Sequence, residues 1–176
     1  MMLVVFGGLP GTGKTTLARQ VADQLGATYL RIDTIEQALR SSLALTDDVG
    51  PAGYVIAYAI GATNLTLGRP VVADCVNPLR VTRVAWRDVA ARTASPILEI
   101  EVSCSDEAEH RRRVESREID IPGLIPSTWA AVVARDYEPW SEPRMVVDTA
   151  NTTITEAVFA IVETIKRRSS GLTNGS

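Results

Sequence analysis

The stretch "GLPGTGKTT", residues 8–16, follows the apolar run "MMLVVFG" and precedes "LARQVADQLGA". It fits the pattern Gly-x-x-x-x-Gly-Lys-Thr, with Gly8, Gly13, Lys14 and Thr15 in the required places between a strand-like and a helix-like segment. The glycines let backbone N–H groups converge on an anion, and a helix N-terminus adds partial positive charge. Lys14 can reach outer phosphates and the Thr15 hydroxyl can ligate magnesium, while Gly11, Thr12 and Thr16 complete the contact set. Lys14 is therefore expected exposed at the loop, on the phosphates rather than in the core. The plainer alternative is a Gly-rich turn that contains a lysine by chance. The question raised is whether the phosphate is moved to an acceptor or only held.

The rest of the composition narrows the classes. A chain of 176 residues fits one domain, and 45% hydrophobic with 22% charged residues fits a packed globular protein. The net charge of -3 argues against general nucleic-acid affinity, which rests on neutralising phosphates with Lys and Arg. Cys75 and Cys104 lack metal-ligand spacing and read as buried thiols in a reducing compartment. The N-terminal apolar run is broken by Gly7 and Gly8 and lacks a basic flank, so it reads as neither leader nor membrane span, and a cytoplasmic location is expected. The sequons at Asn64 and Asn151 are then chance matches.

Short β-rich runs alternate with helical segments, the pattern of a parallel sheet. Strands are expected over residues 3–6, 28–32, 71–74, 97–102 and 145–147. Helices are expected over 14–25, 34–45, 54–67, 79–93, 107–117, 128–137 and 155–168. "IDIPGLIPST", residues 119–128, carries Pro122, Gly123 and Pro126 and reads as an exposed mobile loop. Residues 1–168 then form one domain, with 169–176 a disordered tail.

Phosphate binding alone leaves switch GTPases, motor-like ATPases and kinases open. The only lysines are Lys14 and Lys166, and neither sits in an Asn-Lys-x-Asp guanine-reading motif. In "PVVADCVN", Asp74 is placed as a magnesium-side carboxylate at the end of a strand, but Cys75 stands where a hydrolase would carry its water-polarising glutamate. A phosphoryl transferase is favoured over a hydrolase. The alternative for Asp74 is a helix N-cap or turn residue.

With "RIDTIEQALR" after the second strand, "VVADCVNP" after the third and "HRRRVESRE" before the loop, the chain resembles the small P-loop kinases. That group includes shikimate, gluconate and adenylylsulfate kinases, chloramphenicol phosphotransferase and the kinase domain of phage polynucleotide kinase. The resemblance covers most of residues 1–168 and implies a three-layer α/β fold. Its five-stranded parallel sheet has order 2-3-1-4-5, helices cover both faces, and a lid lies near residues 113–127. It also implies ATP and Mg2+ as cofactors and a hydroxyl or nucleotide phosphate as acceptor.

By this resemblance Asp33 binds the acceptor hydroxyl and draws off its proton, with Asp74 also near substrate. The alternative for Asp33 is a helix N-cap, because Glu36 follows three residues later as in a capping box. Arg40, on the following helix, can grip an acceptor phosphate or carboxylate; a solvated surface arginine is the equal alternative. Arg113 and Arg117, four apart and so on one helical face, take the roles of adenine-stacking and phosphoryl-contacting lid arginines. Arg111 and Arg112 read as a solvated helix end, and His110 as a surface residue. Thr149 and Ala150, after the last strand, would line the adenine pocket. The expected partner is a small-molecule acceptor, with a polynucleotide 5'-hydroxyl or nucleoside as runner-up and a non-catalytic nucleotide-binding module as a third reading. No membrane contact is expected, and the chain is a monomer or homodimer.

Overall fold

The computed structural model of the protein describes residues 1–42 and 49–171. Strand β1 (Leu3–Gly7) is buried along its whole length. Successive side chains in a strand point to opposite faces, so Val4 and Phe6 enter one core and Leu3 and Val5 the other. Around it lie β2 (Thr28–Arg31), β3 (Val71–Asp74), β4 (Ile97–Ser103) and β5 (Met145–Asp148). The sheet is parallel throughout, in the order β2-β3-β1-β4-β5. The expected fold class and strand order are thus those of the protein.

The first core is closed by α1 (Lys14–Leu25) and α7 (Ile154–Gly171), through Leu17 and Val21 of α1 and Val158 and Ile161 of α7. The second is closed by α3 (Ala52–Thr66) and α4 (Arg80–Arg92), through Ala57, Leu65, Trp86 and Val89. Between β2 and α3 lies α2 (Ile32–Ser41), and after β4 come α5 (Glu107–Glu115) and α6 (Trp129–Val133). No helix among the described residues is long and apolar enough to cross a membrane.

Several boundaries differ from those the sequence suggests. Helix α2 begins at Ile32, directly at the strand end, and residues 43–45 of its expected span lie outside the described residues. Helix α5 stops at Glu115, where the Ser116 hydroxyl donates to the Arg112 carbonyl (2.7 Å) and competes for the helical acceptor. Helix α6 is five residues long because the chain soon leaves it: the Glu138 amide donates to Pro78 O at 2.9 Å, ahead of α4. The backbone of α7 continues to Gly171, into the segment expected as a tail, and 172–176 lie outside the described residues.

The register gathers the chemistry. Phe6 and Arg31 both stand level with Asp74, so the loop after β1, the start of α2 and the Asp74 carboxylate meet at the C-terminal edge of the sheet. Open α/β sheets bind ligands at that edge.

Candidate active site

The loop after β1 is held in a conformation that glycine alone adopts readily: Gly11 and Gly13 have φ of 85° and 89°. Gly8 is constrained by space as well, since a Cβ there would lie 2.2 Å from the Val102 carbonyl oxygen. The Gly8 amide donates to Val76 O (2.9 Å) and the Thr12 hydroxyl to Leu9 O (2.9 Å). The buried Thr149 hydroxyl donates to Thr12 O (2.8 Å), tying the loop to the turn after β5.

His110 is not the surface residue the sequence suggests; it is buried beneath this loop. Its Nε2 lies 2.8 Å from Pro10 O, an acceptor only, so Nε2 carries the proton and donates. Its ring meets Trp129 edge-on, with centroids 5.2 Å apart. The signal was present in "EHRRRVE": His110 and Val114, four residues apart, form the one buried face of a charged helix, and that face packs on Gly11.

Lys14 is likewise buried rather than exposed, only 6% accessible, with Nζ donating to Leu9 O at 3.4 Å. It is the first residue of α1 and lines a cavity, within reach of the charges of Asp74 and Asp33. Burial lowers its pKa, partly offset by Asp74 and Asp33, while Arg117 pushes it down further. Of the two following threonines, Thr15 is half-buried and Thr16 exposed.

Asp74 is 2% exposed and is the last residue of β3, not a cap. Its Oδ2 accepts from Tyr29 OH (2.7 Å) and lies 3.8 Å from Arg31 Nε. No cluster of three or more His, Cys, Asp or Glu able to hold a metal exists among the described residues. Magnesium would depend on one hydroxyl, one carboxylate and nucleotide phosphates, which is the donor set it ordinarily takes beside phosphates. The Thr15 hydroxyl and the Asp74 carboxylate are donors of that type; neither lines the cavity at this edge of the sheet, and Asp74 Oδ2 is engaged by Tyr29 and Arg31.

A cavity of about 810 Å3 opens at this edge, lined by Lys14, Asp33, Glu36, Arg40 and Arg117 among others; Asp74 is not in its wall. Asp33 is not the N-cap, a position held by Arg31, and α2 has no side-chain cap bond. Because the helix starts at Ile32, Asp33 falls in its first turn, half-buried and facing the cavity. Arg40 is exposed and pairs with Glu36 at 3.3 Å.

The two arginines expected on a lid separate. Arg113, in the last turn of α5, donates to the Thr149 hydroxyl (2.8 Å) and carbonyl (3.2 Å), so the structure brings together the two residues expected near adenine. Ala150 is half-buried beside them, its amide donating to Asp148 Oδ1 at 3.1 Å. Arg112 and Arg113 together pull the half-buried Glu109 carboxyl down to about 2. Arg117 does not share their helical face, because α5 has ended at Glu115; it lies on the following loop and reaches the cavity from there. Cys75 is buried as expected, and Cys104 is half-buried.

An ion-pair network joins the edge of the sheet to the loop after α5. Arg31, 3% exposed, donates through one nitrogen to both oxygens of Asp120 (3.0 and 2.8 Å), and Arg19 also pairs with Asp120. Arg31 thus stands between Asp74 and the loop that follows α5. The Arg31 guanidinium first, and Arg19 after it, hold the Asp120 carboxyl well below the usual carboxylate range. The available signal was a charge inside a buried strand, "TYLR".

Residues 3–122 match the AAA domain family. An adenylyl-sulfate kinase of Synechococcus sp. (strain JA-2-3B'a(2-13)) is 29% identical over 182 residues, covering 94% of both chains. A gluconokinase from Sinorhizobium meliloti 1021 has the same fold, with a TM-score of 0.71 at 20% identity over 99% of this chain and 97% of that one. A sugar kinase from Janibacter sp. HTCC2649 follows at 0.67 and 19% identity, over 93% of each chain. With its phosphate-type loop, sheet order and paired helical layers, the chain belongs to the AAA domain family and has the fold of the small P-loop kinases.

Proposed function

We propose that the protein is an ATP- and magnesium-dependent phosphotransferase that moves the γ-phosphoryl group to a hydroxyl of a small-molecule acceptor. The observation that carries this reading is the cavity onto which Lys14, Asp33 and Arg117 all open. It joins a phosphate-side cation, a carboxylate able to act as base, and a second cation on a separate loop. A passive nucleotide binder would need only the first. The likeness to an adenylyl-sulfate kinase supports a kinase without fixing the acceptor.

In this reading the loop from Gly8 to Thr16 cradles the phosphates, with Arg113 and Thr149 beside the adenine. Asp33 accepts the proton of the acceptor hydroxyl while that oxygen bonds to the γ-phosphorus. The bond from that phosphorus to the β,γ-bridging oxygen breaks and ADP leaves. Lys14 and Arg117 neutralise charge on the equatorial oxygens. Magnesium, held by Thr15, Asp74 and the phosphates, would add to that neutralisation. The test is ADP release across sugars, polyols, aminoglycosides, nucleosides and short oligonucleotides, read against the rate without acceptor. Acceptor-dependent release is expected, and a rate indifferent to every acceptor counts against the proposal.

The segment from Ser116 to Thr128 acts as a lid, and Asp120 is its latch to Arg31 and Arg19. Replacing Asp120 with alanine is expected to speed amide exchange in this segment by roughly threefold to tenfold, the scale of a partly exposed charged pair. Binding of an ATP analogue is expected to slow it, because a closed lid excludes water. A depressed carboxylate pKa gives a contribution present above its ordinary value of 3.8 and lost as pH falls through the lower folded value. Exchange in the wild type should therefore be insensitive to the latch's titration at neutral pH. Identical exchange in wild type and variant would remove the latch.

A further inference from the structure

We infer that the acceptor is an alcohol carried on a bulky, largely apolar body, rather than a compact polyol or a polyanion. This rests on the kinase reading above and names the substrate class of the same site. The cavity, about 810 Å3, lies in the range of sites that hold drug-sized ligands, and with its Lys14 and Arg117 end given to the phosphate it leaves the α3 and lid side to the acceptor. Its wall on the α3 side is formed by Tyr54 and Tyr58, whose rings lie 6.0 Å apart. Their hydroxyls are turned to the protein: Tyr54 OH accepts from the Asn77 backbone amide (3.0 Å), and Tyr58 OH donates to Thr82 O (3.1 Å). Burial raises both phenol pKa values, so they stay neutral. What they offer a ligand is ring surface.

The rim repeats this chemistry. Val55 on α3, Val81 on α4 and Ile125 on the lid are 57%, 68% and 86% exposed, and all three line this cavity. Single exposed apolar residues need no explanation, but three from separate elements around one opening mark a binding surface. A polyanion would need a cationic clamp. Among the arginines in the wall, Arg40 is already paired with Glu36, and Arg117 stands near Lys14 at the phosphate end. That leaves the exposed Arg135, set against Asp33 and Glu36 in the same wall. Residues 43–48, "LALTDD", contain no Lys or Arg to add.

The probes are 2-(2-naphthyl)ethanol, gluconate and adenylyl sulfate, each measured for binding in the presence of a non-hydrolysable ATP analogue and for phosphorylation with ATP. The naphthyl alcohol is expected to bind saturably and to have the highest kcat/KM of the three. Val55→Asp combined with Val81→Asp is expected to weaken its binding by roughly tenfold or more, the scale on which a pocket senses small apolar changes. Both positions are exposed, so the melting temperature should hold; if it falls, Ile125→Asp carries the same test on the lid. A higher kcat/KM for gluconate or adenylyl sulfate overturns the inference and leaves the kinase reading standing. So does the absence of naphthyl alcohol binding, or binding that the substitutions do not touch. Binding that is sensitive to the substitutions, with no transfer to any acceptor, supports the apolar site and instead refutes the kinase reading.

Discussion

Lys14→Met is expected to lower phosphoryl transfer by about 100-fold or more, the scale of losing one preorganised electrostatic contact to a developing charge. The fold should survive the change. Lys14 is buried, and its ammonium bears a desolvation cost that shows as a lowered pKa. Methionine has similar length and no charge, so relief of that cost offsets the lost attraction to Asp33 and Asp74. Asp74 keeps Tyr29 and Arg31 as partners. The lowered pKa has a kinetic consequence: the charge on Lys14 is lost as pH rises, and lost below the ordinary lysine value of 10.5. The wild-type kcat/KM for ATP, which reports the free enzyme, should therefore decline on the alkaline side earlier than an exposed lysine would allow, and the methionine variant should lack that limb. Steady-state kcat/KM against pH, with thermal melting, checks both. A folded variant with the wild-type rate would contradict the assignment of Lys14 to the phosphates.

Asp33→Asn is expected to leave ATP binding and melting temperature near normal while transfer falls by about 100-fold or more, the usual scale for losing acid–base assistance. The amide keeps the shape of the carboxylate but cannot take a proton from the acceptor hydroxyl. Because Arg31 and not Asp33 occupies the capping position, no cap is lost. The change removes only a first-turn negative charge, worth about 0.3–1 kcal/mol at a helix N-terminus. A catalytic loss of the expected size therefore cannot come from a damaged helix. Wild-type transfer in the variant would leave Asp33 without a role, whereas failure to bind ATP would mean that the acceptor pocket lies elsewhere.

Local pattern carried the sheet. Strand β3 has the bounds expected of it, and β1 extends the expected span only by Gly7, because a short, nearly continuous apolar run is enough to specify a buried parallel strand. The loop that follows was equally legible, since its glycines are dictated by backbone angles and close approach. What failed were inferences that needed knowledge of where elements stop or meet. The four-residue spacing of Arg113 and Arg117 holds on one face only while the helix lasts, and it ends between them. Buried Lys14 feels Asp74 at the end of β3, Asp33 of α2 and Arg117 of the loop after α5, groups far apart in sequence. Arg31 and Asp120 are 89 residues apart, a separation that no local periodicity encodes. The burial of His110 is legible in its spacing to Val114, with which it forms the packed face of α5.

Whether the phosphoryl group is moved or merely held is decided most directly by the fate of its label. Wild-type protein is incubated with [γ-32P]ATP, magnesium and an excess of the acceptor that most stimulates ADP release, and the label is partitioned between acceptor and inorganic phosphate. The account predicts label covalently attached to the acceptor's hydroxyl oxygen in step with ADP formation, and loss of that product in Asp33→Asn and Lys14→Met. Label recovered as inorganic phosphate at the same rate with and without acceptor, or ATP recovered intact under every acceptor, would contradict it.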